Sequence, residues 1–247
     1  MKADPFAQLK LLDLQQVDST LDQLDHRLKT LPELAVLADL TERHRDVEHR
    51  HGKAQTDATD LAREQRKADA DVEQVKTRRA RNQERIDQGL VSDPKQLQAM
   101  QHEVTTLDHR VGELEDVELE VMERLESTQT ELTSLAAELS ELDDSIGEQE
   151  AARDSASAEL TEKRSEAKAE RQRLVAEIPE NLLTQYDKLR AQFDGVAVGA
   201  LHQKRCGGCR LDIGAAELAR IADAPSDEVV RCEECNRILV RTDESGV

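Results

Sequence analysis

From Leu97 onward, apolar residues recur at alternating steps of three and four, through Met100, Val104, Leu107, Val111, Leu114, Val121, Leu125, Leu132, Leu135, Leu139, Leu142 and Ile146 to Ala156, Leu160, Ala167 and Leu174. Only Glu118, Thr128, Gln149, Arg153, Lys163 and Glu170 interrupt the stripe. A seven-residue repeat kept up over that length holds one face of a helix against a partner helix, which is the signature of a coiled-coil seam. The thinner stretch at 149–170, with its polar seam positions, is expected to be the looser part.

A second stripe precedes it: Leu14, Val17, Leu21, Leu24, Leu28 and Leu31, then Val47, His51, Ala54, Ala58, Leu61, Gln65, Ala68, Val72, Val75, Arg79, Asn82 and Ile86. Its frame slips by two residues between Leu31 and Val47, and Pro32 lies at the slip, so a kink or local break is expected there. GLVSDP (89–94) separates the tracts. Gly89 can end one helix, Ser92 or Asp93 can cap the next, and Pro94 suits its first turn. If the chain folds back at this hairpin turn, the numbers of facing seam residues must sum to a near-constant value. Ile86 with Leu97, Val72 with Val111 and Ala58 with Leu125 each sum to 183, Val47 with Leu135 to 182, and Leu24 with Leu160 to 184. Gln65 falls opposite Glu118, although Arg79 falls opposite Val104. A parallel homodimer needs no such mirror, so pairing within one chain is favoured. At about 1.5 Å per residue, roughly 80 residues give an arm on the order of 120 Å.

Composition agrees with thin helical packing: charged residues make up 35% and aromatic residues 1% of the 247. The formal net charge of -19 argues against indiscriminate affinity for nucleic acid or anionic membrane. Charge is unevenly spread, however. Residues 113–150 carry fourteen acidic side chains against Arg124 alone, whereas residues 76–85 carry Lys76, Arg78, Arg79, Arg81 and Arg85 against Glu84. The acidic run reads as a solvated face or a docking strip. The basic cluster can either grip RNA or an acidic protein surface, or pair with neighbouring carboxylates on exposed helix faces.

No stretch approaches the roughly 20 apolar residues of a membrane span, and MKADPFAQLKLLDLQQ lacks the apolar core of an export signal. A cytoplasmic protein without membrane or small-molecule partners is expected. All four cysteines lie near the C-terminal end, as Cys206-Gly-Gly-Cys209 and Cys232-Glu-Glu-Cys235. Two intervening residues let one tight turn aim both sulfurs at a single ion, and two such turns complete a tetrahedron. One structural zinc on Cys206, Cys209, Cys232 and Cys235 is expected rather than disulfides or redox-active pairs. Gly207 and Gly208 relieve that turn of Cβ clashes, and Lys204, Arg205, Arg210 and Arg231 offer cations near the thiolates. His202 reads as a solvated loop residue. Ile178-Pro179 stops one helix and restarts a short one bearing Leu182, Leu183, Tyr186 and Leu189, and GVAVGAL (195–201) and RILVR (237–241) have β character. The expected architecture is mainly α: an antiparallel coiled-coil hairpin over residues 1–178, then a connector helix and small β zinc ribbon over 179–247. No phosphate-cradling glycine motif and no partnered nucleophile points to an enzyme.

The turn VSDPKQLQAMQHEV (91–104), the connector IPENLLTQYDKLR (178–190), RCGGCRLDI (205–213) and RCEECNRILV (231–240) together resemble the bacterial C4-type zinc-ribbon family with an N-terminal coiled-coil hairpin. The resemblance implies a non-enzymatic adaptor or chaperone. Some family members are linked to flagellar or type III export and to the alternative sigma factor of flagellar regulons, and others are described as candidate nucleic-acid binders. A scaffold with a protein partner is therefore the leading expectation, and an RNA- or DNA-binding regulator using the basic tip and ribbon arginines is the alternative. Insertion of the hairpin tip into RNA polymerase would call for acidic residues there, where only Asp87 and Asp93 closely flank the turn.

Overall fold

A computed structural model describes residues 1–246. Helices α1 (Pro5–Lys29), α2 (Pro32–Asp87) and α3 (Pro94–Ala176) are followed by α4 (Glu180–Gln192), strands β1 (Val198–His202) and β2 (Arg205–Cys206), helix α5 (Ala215–Asp223) and strands β3 (Val230–Arg231) and β4 (Ile238–Arg241). The residues form two compact units, Val36–Glu150 and Met1–Ala35 with Ala151–Val247.

In the Val36–Glu150 unit the seam residues Val47, Ala54, Ala58, Leu61 and Val72 of α2 and Val104, Val121, Leu135 and Leu142 of α3 are buried. Cross-helix contacts between polar side chains report the antiparallel direction. They run from Arg79–Asp108 through Glu64–Arg124 to His44–Asp143, so each step away from the turn on α2 is matched by one on α3. The turn itself follows from local chemistry. Leu90 N donates to Arg85 O (3.2 Å) and Gly89 N to Ile86 O (3.0 Å), while Gly89 takes φ +66°. These are the two bonds of a Schellman stop, whose left-handed residue is glycine because it has no Cβ. Asp93, rather than Ser92, caps α3: its Oδ1 accepts from Lys95 N at 3.1 Å.

In the other unit the interruption expected at Pro32 is a two-residue break at Thr30 and Leu31, between α1 and α2. Pro32 has no N–H and a fixed φ, so it opens α2 but cannot continue α1. Leu11 and Leu14 of α1, Leu174 of α3, and Leu182, Tyr186 and Leu189 of α4 form one core with Val198, Ile238 and Val240 of the sheet. The sheet order is β2-β1-β4-β3. β1 and β4 pair in parallel, Val198 opposite Ile238 and Leu201 opposite Arg241, whereas β1–β2 and β3–β4 are antiparallel. The N-terminal residues also join this unit. Ala3 N donates to Asp227 O, Val229 N donates to Met1 O, and Gln15 Oε1 accepts from Ala197 N at 2.7 Å. Nothing in the heptad pattern announces these contacts between α1 and the ribbon.

Candidate metal centre

The four cysteines come from two turns of the same build. In the first, Arg210 N donates to Cys206 O (2.7 Å) and Cys206 N to Leu211 O (3.0 Å). In the second, Asn236 N donates to Cys232 O (2.8 Å) and Cys232 N to Arg237 O (3.0 Å). The residue after each second cysteine is left-handed, Arg210 at φ 63° and Asn236 at φ 58°. Gly207 and Gly208 are not left-handed, so what they supply is room rather than a positive φ. A Cβ on Gly207 would lie 2.9 Å from Ala200 O, and one on Gly199 would lie 2.3 Å from Gly208 N. The first turn therefore rests directly on the backbone of β1, tied by Gly207 N to Ala200 O at 2.8 Å. Gly199 was the missed signal, since a lone glycine inside a strand pattern marks a close backbone approach.

The four sulfurs all lie within 4.8 Å of one another, with Cys206–Cys235 at 3.9 Å and Cys209–Cys232 at 4.0 Å. Zinc–sulfur bonds of about 2.3 Å in a tetrahedron place sulfurs roughly 3.8 Å apart, so the cage fits. Cys206 and Cys232 are buried, and Cys209 and Cys235 half-buried. Burial pushes the Cys206 thiol up to about 12 and raises Cys232 as well. Burial also opposes ionisation of Cys235, but hydrogen bonds from the backbone N–H and guanidinium of Arg237 and from the Cys209 and Cys232 thiols together outweigh it and hold that thiol below its usual value. A divalent cation is the partner that converts such sheltered thiols to thiolates. Four thiolates close the coordination sphere, which makes the centre structural.

Of the flanking cations, Arg205 turns to Asp212 (3.0 Å) and Arg231 to Asn236 Oδ1 (3.2 Å). The guanidinium at the cage belongs to Arg237, which also donates to Val196 O (2.8 Å) and lies 5.1 Å from the centroid of the Phe193 ring. His202 faces Glu244 at 3.1 Å, outside the sulfur cluster.

Residues 14–194 match the model of the CT398-like coiled coil hairpin domain, and residues 205–239 that of the C4-type zinc ribbon domain. The chain belongs to the CT398-like coiled coil hairpin family. An uncharacterized protein of Mycobacterium tuberculosis is 35% identical over 98% of both chains. A solved structure from Mycobacterium smegmatis is 36% identical, with a TM-score of 0.84 over 98% of this chain and 100% of that one. CT398 from Chlamydia trachomatis shares the fold, with a TM-score of 0.72 at 18% identity over 96% of this chain and 98% of its own.

In this CT398-like hairpin protein the basic cluster lies near the turn, but three of its cations are engaged by the facing helix. Lys76 meets Glu115 at 2.6 Å, Arg79 meets Asp108 at 2.7 Å, and Arg78 pairs with Glu103. Glu115 holds Lys76 above the ordinary lysine range, chiefly by their hydrogen bond. Arg81 and Arg85 are exposed, without ion-pair partners among the described residues.

Proposed function

We propose that this chain is a non-enzymatic, zinc-binding adaptor whose coiled-coil arm and zinc ribbon present surfaces to a protein partner. The observation that carries this reading is the engagement of Lys76, Arg78 and Arg79 by Glu115, Glu103 and Asp108. Cations already neutralised across the hairpin are poorly placed to replace the counterions of a phosphate backbone. A closed four-thiolate centre adds rigidity but offers no vacant position for a substrate. Thiolate ligands suit a reducing compartment, so the cytoplasm is the proposed location. No helix among the described residues is long and apolar enough to cross a membrane.

Affinity purification of the full chain from its native cell, with and without the hairpin tip, tests the reading. A protein partner should be retained after nuclease treatment. Loss of all captured material on nuclease treatment would overturn it. The nucleic-acid alternative rests on Arg81 and Arg85 at the tip together with the ribbon arginines, and it requires RNA or DNA binding whose log affinity falls steeply with log salt. Arg81→Ala and Arg85→Ala should then weaken that binding.

A further inference from the structure

Leu119 and Met122 stand 56% and 41% exposed on α3. They lie outside the seam, whose local members are Glu118, Val121 and Leu125. Positions three apart sit one above the other on a helix, so the two form a continuous apolar ledge. With Gln65, Glu123, Leu125 and Glu126 they line a groove of about 440 Å³ between α2 and α3. A two-helix coil ordinarily solvates such positions, and large apolar side chains left open there suit an interaction surface.

The rim sets the sign of the occupant. Glu123 and Glu126 have no ion-pair partner among the described residues. On α3 the groove sits within the run of fourteen acidic residues whose one basic member is Arg124, itself paired with Glu64, while the facing α2 carries Arg66 and Lys67 beside Gln65. A second copy seated through this same groove would bring the same two glutamates, and RNA or an anionic membrane would meet like charge at Glu123 and Glu126. A helix with its own apolar ledge and flanking Lys or Arg satisfies both the groove and its rim.

We propose that the groove at Leu119 and Met122 docks a basic amphipathic helix of a partner protein, with apolar residues on the ledge and cations on Glu123 and Glu126. This rests on the adaptor reading above and names the surface and partner chemistry it uses. A photo-crosslinking residue placed at Met122 of the full chain, in its native cell, tests it, with exposed Ser134 as the control site. The crosslinked peptide should carry apolar residues three or four apart and a net positive charge. Its yield should fall about tenfold in Glu123→Lys/Glu126→Lys, with helical circular dichroism unchanged. Crosslinks to a second copy, to nucleic acid or to a neutral or acidic peptide would overturn the proposal, as would equal yield at Ser134. Protein crosslinks elsewhere on the chain with none at Met122 would remove this docking site and leave the adaptor reading standing. Absence of protein crosslinks at every site sampled would remove both.

Discussion

Tyr186 Oη donates a 2.8 Å hydrogen bond to Asp18 Oδ2, joining α4 to α1 across 168 residues of sequence. Asp18 is 1% exposed, and its other oxygen accepts from Arg171 Nε at 2.7 Å. Arg190 completes the set, its Nη2 reaching Asp22 at 2.6 Å. A sheltered carboxylate is thus shared by helices that are far apart in the chain.

Asp18→Ala removes the acceptor for these groups and leaves Tyr186 and Arg171 under-satisfied. Breaking one side of a buried charged network costs about 3 kcal/mol. The thermal midpoint should fall clearly, and a change within error would refute the assignment of Asp18 as the hub.

Tyr186 is the one tyrosine of the chain, which has no tryptophan, so phenolate absorbance reports this residue alone. Burial first, then the hydrogen bond to Asp18, raises its ionisation well above the ordinary value. Unfolded tyrosine ionises near pH ~10. Below that pH both states hold the proton and the stability is fully present. Above it the unfolded chain releases a proton that the folded chain retains, so stability is lost with rising pH. The phenolate signal should therefore appear only together with loss of helical circular dichroism. A simple titration at the ordinary value with helicity intact would contradict the burial.

Two glycine substitutions should move in opposite directions. Gly199→Ala would put a Cβ 2.3 Å from the backbone nitrogen of Gly208, and backbone cannot swing aside as a flexible side chain can. A loss of about 2 kcal/mol or more is expected, with weaker zinc retention. Gly147→Ala, inside α3 with nothing within 4 Å of its Cβ, should instead stabilise by about 0.5–1 kcal/mol. Thermal melts and zinc content read both.

Elemental analysis should find one zinc per chain, lost in Cys232→Ser or on chelation. Protons compete for thiolates, so retention should weaken as pH falls. Amides that close the two turns, at Cys206, Arg210, Cys232 and Asn236, should then exchange faster with solvent. The amides of Val72 and Val121, in the hairpin seam, should keep their protection.

Asn82 is buried in the seam near the turn, and its Nδ2 has no hydrogen-bond partner. Replacing an unsatisfied buried amide with an apolar side chain removes a desolvation cost. Asn82→Leu should raise the thermal stability of the hairpin by about 1 kcal/mol, whereas Asn82→Asp should lower it. A neutral effect in both would show that the site is solvated.

The hairpin could be read from residues 14–174 because a coiled coil is periodic, and a period is present wherever the chain is sampled. The turn was equally local: Gly89, Asp93 and Pro94 act on bonds within a few residues of themselves. The metal cage was legible for the same reason, since each Cys-x-x-Cys pair is one turn and only the joining of the two turns is remote. Other features depended on partners that spacing does not reveal. β2 and β3 are two residues long, too short to carry an alternation, and the parallel pairing of β1 with β4 joins segments some forty residues apart. α5, between the two turns, is held by Arg241, whose guanidinium donates to Ala224 O at 2.7 Å and Pro225 O at 2.6 Å. The burial of Asp18 and the neutralisation of Lys76, Arg78 and Arg79 likewise arise only when distant helices and strands meet. Short-range geometry is written in spacing and residue type, whereas the environment of a charge is set by whatever the completed fold places beside it.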